Sequence, residues 1–252
     1  MGAWVDVPPG PVDRCIVWRV DLRLSEDRLR GAASCLSEEE RARAARFARS
    51  EDRHRFLASH AALRLILGRA LGADPEALAF VAGPAGKPEL GPDQPIAPHF
   101  NLSHSGDWAL IGLSPTSRIG VDVEVARPIR DAARIARTHF HPDEAAAIAA
   151  RSGEAARAAF FAVWTCKEAF VKGLGPGLSM PLDAFAVSLP PAPAGLIWVG
   201  AGAVSPAAWS LHRLAVDEDH FGAVAIEAAA AALRQHTLPR DWIDLLPGPA
   251  RE

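Results

Sequence analysis

The order of hydrophobic periodicities recurs once along the chain, and that recurrence restricts the folds open to it. In the first half "CIVWRVDL" at 15–22 has the character of a strand. "LSEEERARAARF" follows, with Ser37 and Glu40 at capping-box spacing. A long helix then runs through "EDRHRFLASHAALRLILGRALG", with Leu63, Ile66, Leu67, Ala70 and Leu71 at helical spacing and Gly72 as its stop. Strand candidates "ALAFVA", "PHFNLS" and "WALIGLS" close this half, joined by loops rich in Gly and Pro. The second half repeats the order: strand "RIGVDVEV", short helix "HPDEAAAIAA", long helix "EAARAAFFAVWTCKEAFVK", then strands "DAFAVSL", "WSLHRLAV" and "FGAVAIEA". The expected fold is α+β, two similar lobes related by a pseudo-twofold, each a small sheet packed with a long helix. The polar break "SPTS" at 114–117 divides them into 1–115 and 116–252. A cleft between lobes is a common ligand site.

Composition narrows the class. The 252 residues are 49% hydrophobic and 23% charged, as in ordinary globular proteins, and a net charge of −3 implies no broad nucleic-acid surface. Cys15, Cys35 and Cys166 form no framework, which suggests a reducing compartment. "MGAWVDVPPG" has no signal-peptide pattern, and "FGAVAIEAAAAAL" is too short to span a bilayer. A cytoplasmic protein without a membrane role is expected.

The long second helix poses a question. Phe160, Trp164, Glu168 and Lys172 follow one another at i+4 steps, so one slowly drifting face begins apolar and ends charged. Gly173 and Gly175 suit its C-terminus. The end could be a solvated last turn, or a carboxylate and a cation held at a pocket edge. In "RIGVDVEV", Ile119, Val121, Val123 and Val125 point one way, and Gly120, Asp122 and Glu124 the other. Two carboxylates so close repel unless water or a cation separates them. That face is either solvated or a hard-cation site, with Gly120 leaving room for a ligand.

Groups that could hold phosphate lie elsewhere. Lys87 sits in "GPAGKPEL", which is not a Walker loop and alone is weak. "HFNLSHSGDW" runs a strand into a polar turn with Ser103, His104 and Ser105, where His104 could meet phosphate or cap the turn. Arg41, Arg43, Arg46, Arg49, Arg53 and Arg55 crowd one segment; Arg46, Arg49 and Arg53 share a face if the helix is continuous, with Glu38 to Glu40 as available partners. Cys166 is read as an inert packing thiol.

Together these stretches resemble a known family. "GVDVE" at 120–124 followed by "WTCKEAFVK" at 164–172 is similar to the signature pair of the 4′-phosphopantetheinyl transferases. "GKP" at 86–88 and "FNLSHS" at 100–105 match the upstream motifs of the larger, pseudo-dimeric, surfactin-synthetase-activating type. The resemblance implies transfer of 4′-phosphopantetheine from coenzyme A to a serine of an apo acyl or peptidyl carrier protein, by a monomer. It implies Mg²⁺ held by Asp122, Glu124 and Glu168, pyrophosphate contacts from Lys172 and His104, and nucleotide contacts from Lys87 and Ser103. Arg43 and Arg55 would meet the 3′-phosphate. Glu168, or a water on the metal, would be the base, with Lys172 and His104 as the other catalytic groups. Two points stand apart: Glu40 lies where a relative carries lysine, and Glu144 matches a segment near the metal without an assigned role. The alternatives are a Mg²⁺-dependent phosphodiesterase or nuclease, and a non-catalytic coenzyme A-binding module.

Overall fold

The apolar alternation read in the first strand continues into a sheet built by both ends of the chain. The structure, a computed structural model, describes residues 5–6, 9–10, 12–82, 88–91, 98–129, 131–175, 180–200 and 204–246. Two strands, β1 (Val5–Asp6) and β2 (Cys15–Asp21), precede three helices: α1 (Glu26–Ser34), α2 (Glu38–Ala44) and α3 (Ser50–Leu71). The short hairpin β3 (Phe80–Ala82) and β4 (Pro88–Leu90) leads to β5 (His99–Ser105) and β6 (Trp108–Ser114). The order then recurs with β7 (Ile119–Val125), α4 (Ala132–His139), α5 (Pro142–Ala149) and α6 (Gly153–Leu174). A second hairpin, β8 (Phe185–Val187) and β9 (Leu196–Val199), precedes β10 (Ser210–Ala215), β11 (His220–Ile226) and β12 (Leu233–Thr237). The α+β, two-lobed architecture is as expected, and α3 and α6, each 22 residues long, are its matching helices.

Local chemistry sets the element ends. Ser37 and Glu40 close the capping box that starts α2. Gly72, at φ +65°, ends α3 in the left-handed conformation that side chains resist. Gly173 departs from its expected place: it lies inside α6, and Gly175 follows the end. The reason is packing, since Gly173 touches Gly120 of β7 and the ring of Trp209.

Each lobe has its own core. In the first, Trp18, Val20, Phe100, Ile111 and Leu113 pack on the buried face of α3. In the second, α6 lays Phe160, Phe161, Val163, Cys166 and Phe170 against Ala223 and Ala225 of β11 and Phe185 of β8. A third cluster is the seam between them: Val17 and Leu110 meet Ile119, Val121, Val123, Leu214 and Val224. These seam valines are the predicted apolar face of "RIGVDVEV", which leaves Gly120, Asp122 and Glu124 towards α6.

The sheet order is β1–β12–β2–β6–β5 in the first lobe and β10–β11–β7 in the second. The C-terminal strand β12 pairs in parallel with β2, and Leu238, Trp242 and Ile243 pack into the first core. A boundary at 115/116 therefore leaves the end of the chain seated on the opposite lobe.

A methyl group at Gly120 would lie 2.1 Å from the carbonyl oxygen of Ala169 and 2.3 Å from the amide of Gly173. Gly120→Ala must push α6 off β7 and should cost about 1–3 kcal/mol, measured as a lowered urea midpoint. Gly31→Ala, in open space on α1, should be neutral or slightly stabilising, and equal effects of the two would refute the close-packing account.

Candidate active site at the lobe seam

The edges β5 and β7 face each other without a backbone ladder, and the side chains of β5 take its place. The Val121 amide donates to Asn101 Oδ1 at 2.8 Å, the Val123 amide to Ser103 Oγ at 3.4 Å, and the Val125 amide to Ser105 Oγ at 3.1 Å. Each serine passes a bond on. Ser103 Oγ donates to Asp122 Oδ1 at 3.0 Å, and Ser105 Oγ donates to Glu124 Oε2 at 3.0 Å. Serines two residues apart thus address carboxylates two residues apart. The turn expected at Ser103–Ser105 lies instead at Gly106–Asp107, because these serines pair in register with Leu110 and Trp108.

The charged end of α6 reaches this row. Lys172 Nζ lies 2.6 Å from Asp122 Oδ1 and 3.1 Å from Ser103 Oγ. Asp122 is 2% exposed, and its second oxygen, Oδ2, is buried with no hydrogen-bond partner. Burial raises its pKa to about 6; Lys172 opposes the rise, and Glu124 and Glu168 add to it. Burial likewise raises the pKa of Glu168, against Lys172 and with Glu124. Glu124 and Glu168 thus both act on Asp122, and Glu124 on Glu168, around one place.

Among the described residues, no three His, Cys, Asp or Glu side chains converge tightly enough to hold an ion as placed. Yet the orphaned Asp122 oxygen and an all-oxygen donor set with mutually repelling carboxylates fit a hard divalent cation. Asp122, Glu124 and Glu168 are the groups that could hold it.

Ser103 and His104 point to opposite faces of β5. His104 faces the α3 side, where His60 and Arg55 reach it electrostatically, as Lys172 does from the seam. Its pKa is lowered to about 4, by the surrounding protein first and then by those cations. The ring is exposed, so solvent softens the burial effect, while the clustered positive charge is what an anion would relieve. Arg55 pairs with Asp52 at 3.3 Å, and the exposed Arg43 lies over the Phe56 ring at 5.3 Å. The arginine run is not one helix, because α2 stops at Ala44 and α3 starts at Ser50, so Arg46 and Arg49 fall between helices and do not continue the face of Arg53. Lys87 lies outside the described residues. Its neighbour Pro88 lines a cavity with Phe100, Arg118, Gly173 and Gly175, at the C-terminal end of α6.

The two unexplained acids have structural partners. Glu40 accepts from Arg64 Nε at 2.8 Å and lies 3.1 Å from His60 Nδ1. Burial works to raise its pKa, but the bonds from His60 and the Ser37 amide and the charge of Arg64 hold it at about 2. It ties α2 to α3 and departs from a cationic role for that reason. Glu144 is buried with Lys167. Cys166 is buried and its thiol is pushed up to about 11, which suits inert packing. Sequence reasoning missed Asn101 and did not assign Ser105; only the facing of the two strands reveals their bonds.

Comparisons with known proteins show the family of the chain. Residues 23–116 match the model described as "4′-phosphopantetheinyl transferase, N-terminal", and residues 118–227 match that of the 4′-phosphopantetheinyl transferase superfamily. The chain is 37% identical over 228 residues to the 4′-phosphopantetheinyl transferase HetI of a Nostoc strain, covering 88% of this chain and 93% of that one. It is 35% identical to the 4′-phosphopantetheinyl transferase Sfp of Bacillus subtilis, over 68% of this chain and 74% of that one. A putative 4′-phosphopantetheinyl transferase of Synechocystis is 42% identical over 61% of this chain and 62% of its own length. The chain belongs to the 4′-phosphopantetheinyl transferase family, and of the motifs that resembled it, "FNLSHS", "GVDVE" and the end of "WTCKEAFVK" lie along the seam.

The raised pKa of Asp122 gives a stability test. A carboxyl harder to ionise folded than unfolded costs the fold stability as pH rises from about 4 through about 6. Asp122→Asn removes that titration. Without divalent ions, the variant should gain about 1 kcal/mol on the wild type between pH 5 and pH 8, read from denaturant midpoints. Parallel pH profiles for the two proteins would show that Asp122 is not held as described.

Proposed function

We propose that this chain transfers 4′-phosphopantetheine from coenzyme A to a serine hydroxyl of an apo carrier protein, with Mg²⁺, and releases adenosine 3′,5′-bisphosphate. The observation that supports it most is the meeting of Asp122, Glu124 and Glu168 with Lys172 and Ser103 at one seam, with His104 on the neighbouring face of β5. Asp122, Glu124 and Glu168 would hold the ion. When bound, Mg²⁺ neutralises charge on the pyrophosphate and on the phosphate that leaves.

The chain's own groups do the rest. Lys172, oriented by Asp122 and Ser103, places positive charge beside the pyrophosphate. Arg55 and Arg43 supply positive charge on the α3 side, while the His104 ring, whose lowered pKa favours its neutral form, can donate one N–H to a further phosphate oxygen. The carrier serine oxygen attacks the phosphorus that bears pantetheine. Its bond to the bridging oxygen breaks, and the electron pair leaves with adenosine 3′,5′-bisphosphate. The serine proton passes to Glu168, whose carboxylate lies with Glu124 and Lys172 at the seam. No helix among the described residues is long and apolar enough to cross a membrane. A monomer acting in the cytoplasm is part of this reading.

Incubation with coenzyme A, Mg²⁺ and an apo carrier domain should add one phosphopantetheine to the carrier by mass, and a chelator should stop it. Hydrolysis of coenzyme A with an unmodified carrier would favour a phosphodiesterase, and binding without chemistry a coenzyme A module. Glu168→Gln should lower single-turnover transfer at saturating Mg²⁺ by about 10²-fold or more. Transfer within a few-fold of wild type would place the base elsewhere.

A further inference from the structure

One residue before Glu168 the helix carries a second charge, on a different face. Lys167 is 0% exposed and Glu144 2%. Lys167 Nζ lies 2.8 Å from Glu144 Oε2 and donates to the carbonyl oxygens of Leu182 at 2.7 Å and Phe185 at 2.6 Å. Three acceptors match the three N–H groups of an ammonium. The Phe185 ring centre is 4.1 Å away. Glu144 is equally engaged: Oε1 accepts from the Val187 amide at 2.7 Å, and Oε2 from the His141 amide at 3.0 Å. The pair therefore binds α6 to the start of α5 and to β8.

Stability alone does not account for it. Burying two charges carries a desolvation cost, and replacing such pairs by apolar residues is often neutral or stabilising. Directional bonds do something apolar contact does not. On its opposite side α6 meets β7 through Gly120 and Gly173. That contact permits close approach, and the side-chain bonds on this side, Lys172 to Asp122 and Arg118 to the Leu174 carbonyl, hold only the last turns of the helix. Residues 167 and 168 lie about 100° apart on a helix, so pinning one determines where the next points.

We propose that the Glu144–Lys167 pair is a positioning device that sets the rotation and axial register of α6, and so the placement of Glu168 and Lys172 against Asp122. Neither residue touches the reacting atoms. The inference rests on the transferase reading for the reaction it serves, but its claim concerns the helix and the carboxylates.

The test is the double variant E144Q/K167M, which keeps an acceptor for the Val187 amide and an unbranched chain in place of the lysine. It should fold, with near-ultraviolet circular dichroism like the wild type. Amide hydrogen exchange in peptides covering 168–174 should be faster. Mg²⁺ affinity with coenzyme A present, measured by calorimetry, should weaken about 10-fold, and single-turnover transfer should fall and partly recover at high Mg²⁺. A folded double variant with wild-type exchange and wild-type Mg²⁺ affinity overturns the proposal. If the double variant does not fold, Glu144→Gln alone decides by the same two readings. A wild-type protein without transferase activity overturns the transferase reading, and exchange in 168–174 then judges the positioning claim by itself.

Discussion

The structure depends on how two sheet edges that do not pair are joined. An unpaired edge presents amides that need acceptors, and β7 finds them in Asn101, Ser103 and Ser105 rather than in another backbone. A backbone ladder would have brought β7 into the first sheet. Side-chain acceptors hold it one side-chain length away, and the hydroxyls left over are free to donate to Asp122 and Glu124. One row of bonds therefore joins the lobes, satisfies an edge and orients the carboxylates. Bonds to a charged acceptor contribute about 1.5–3 kcal/mol each, more than neutral ones, so the seam is firmest where the acids are.

The electrostatics follow from that placement. Asp122 is carried into the interior by a strand whose other face is the seam core, and it cannot withdraw without unpairing β7 from β11. Its proton affinity rises because burial outweighs Lys172. The groups suited to phosphate divide by the two faces of β5. Lys172 shares the serine face with the acids, while His104 shares the opposite face with Arg55 and His60. A ligand with separated phosphates suits this division better than a single compact anion. Glu40 does not cancel Arg55 and Arg43, because Arg64 neutralises it and His60 bonds to it within the α2–α3 corner.

Much of this was legible from the residues, and the remainder was hidden for definite reasons. The long helices and paired strands were readable because each has a period that only one element satisfies, and the alternation of "RIGVDVEV" correctly separated the seam valines from the acids. The strand β12 was not readable: "LRQHT" has no alternation, and its structure comes from the sheet it joins. Helix α4 escaped notice in a stretch of mixed charge. Asn101 and Ser105 needed the facing of β5 on β7, which no single segment encodes. The Glu144–Lys167 pair depends on how two consecutive helices and β8 pack together, and Lys167 within an apolar helix looked the same as a solvated charge.

The duplicated order of elements also explains why the site lies where it does. Each lobe closes its own core around one long helix, and both helices are largely consumed by packing. What remains for polar chemistry is the line where the lobes meet. There the glycine contact lets α6 come close enough for Lys172 to bridge to a strand of its own lobe and a serine of the other. Such a seam would open if held by these polar bonds alone. The chain counters this by returning: β12 leaves the second lobe, adds to the first sheet beside β2, and seats Trp242 in the first core. Arg19 of β2 donates to the Val216 carbonyl and to Thr237, tying the two lobes at the same level. Short connections at 115–118 and 227–232 thus tether the lobes on either side of the apolar seam of Val17, Leu110, Val121 and Val224, and that coupling helps a row of buried carboxylates to persist between them.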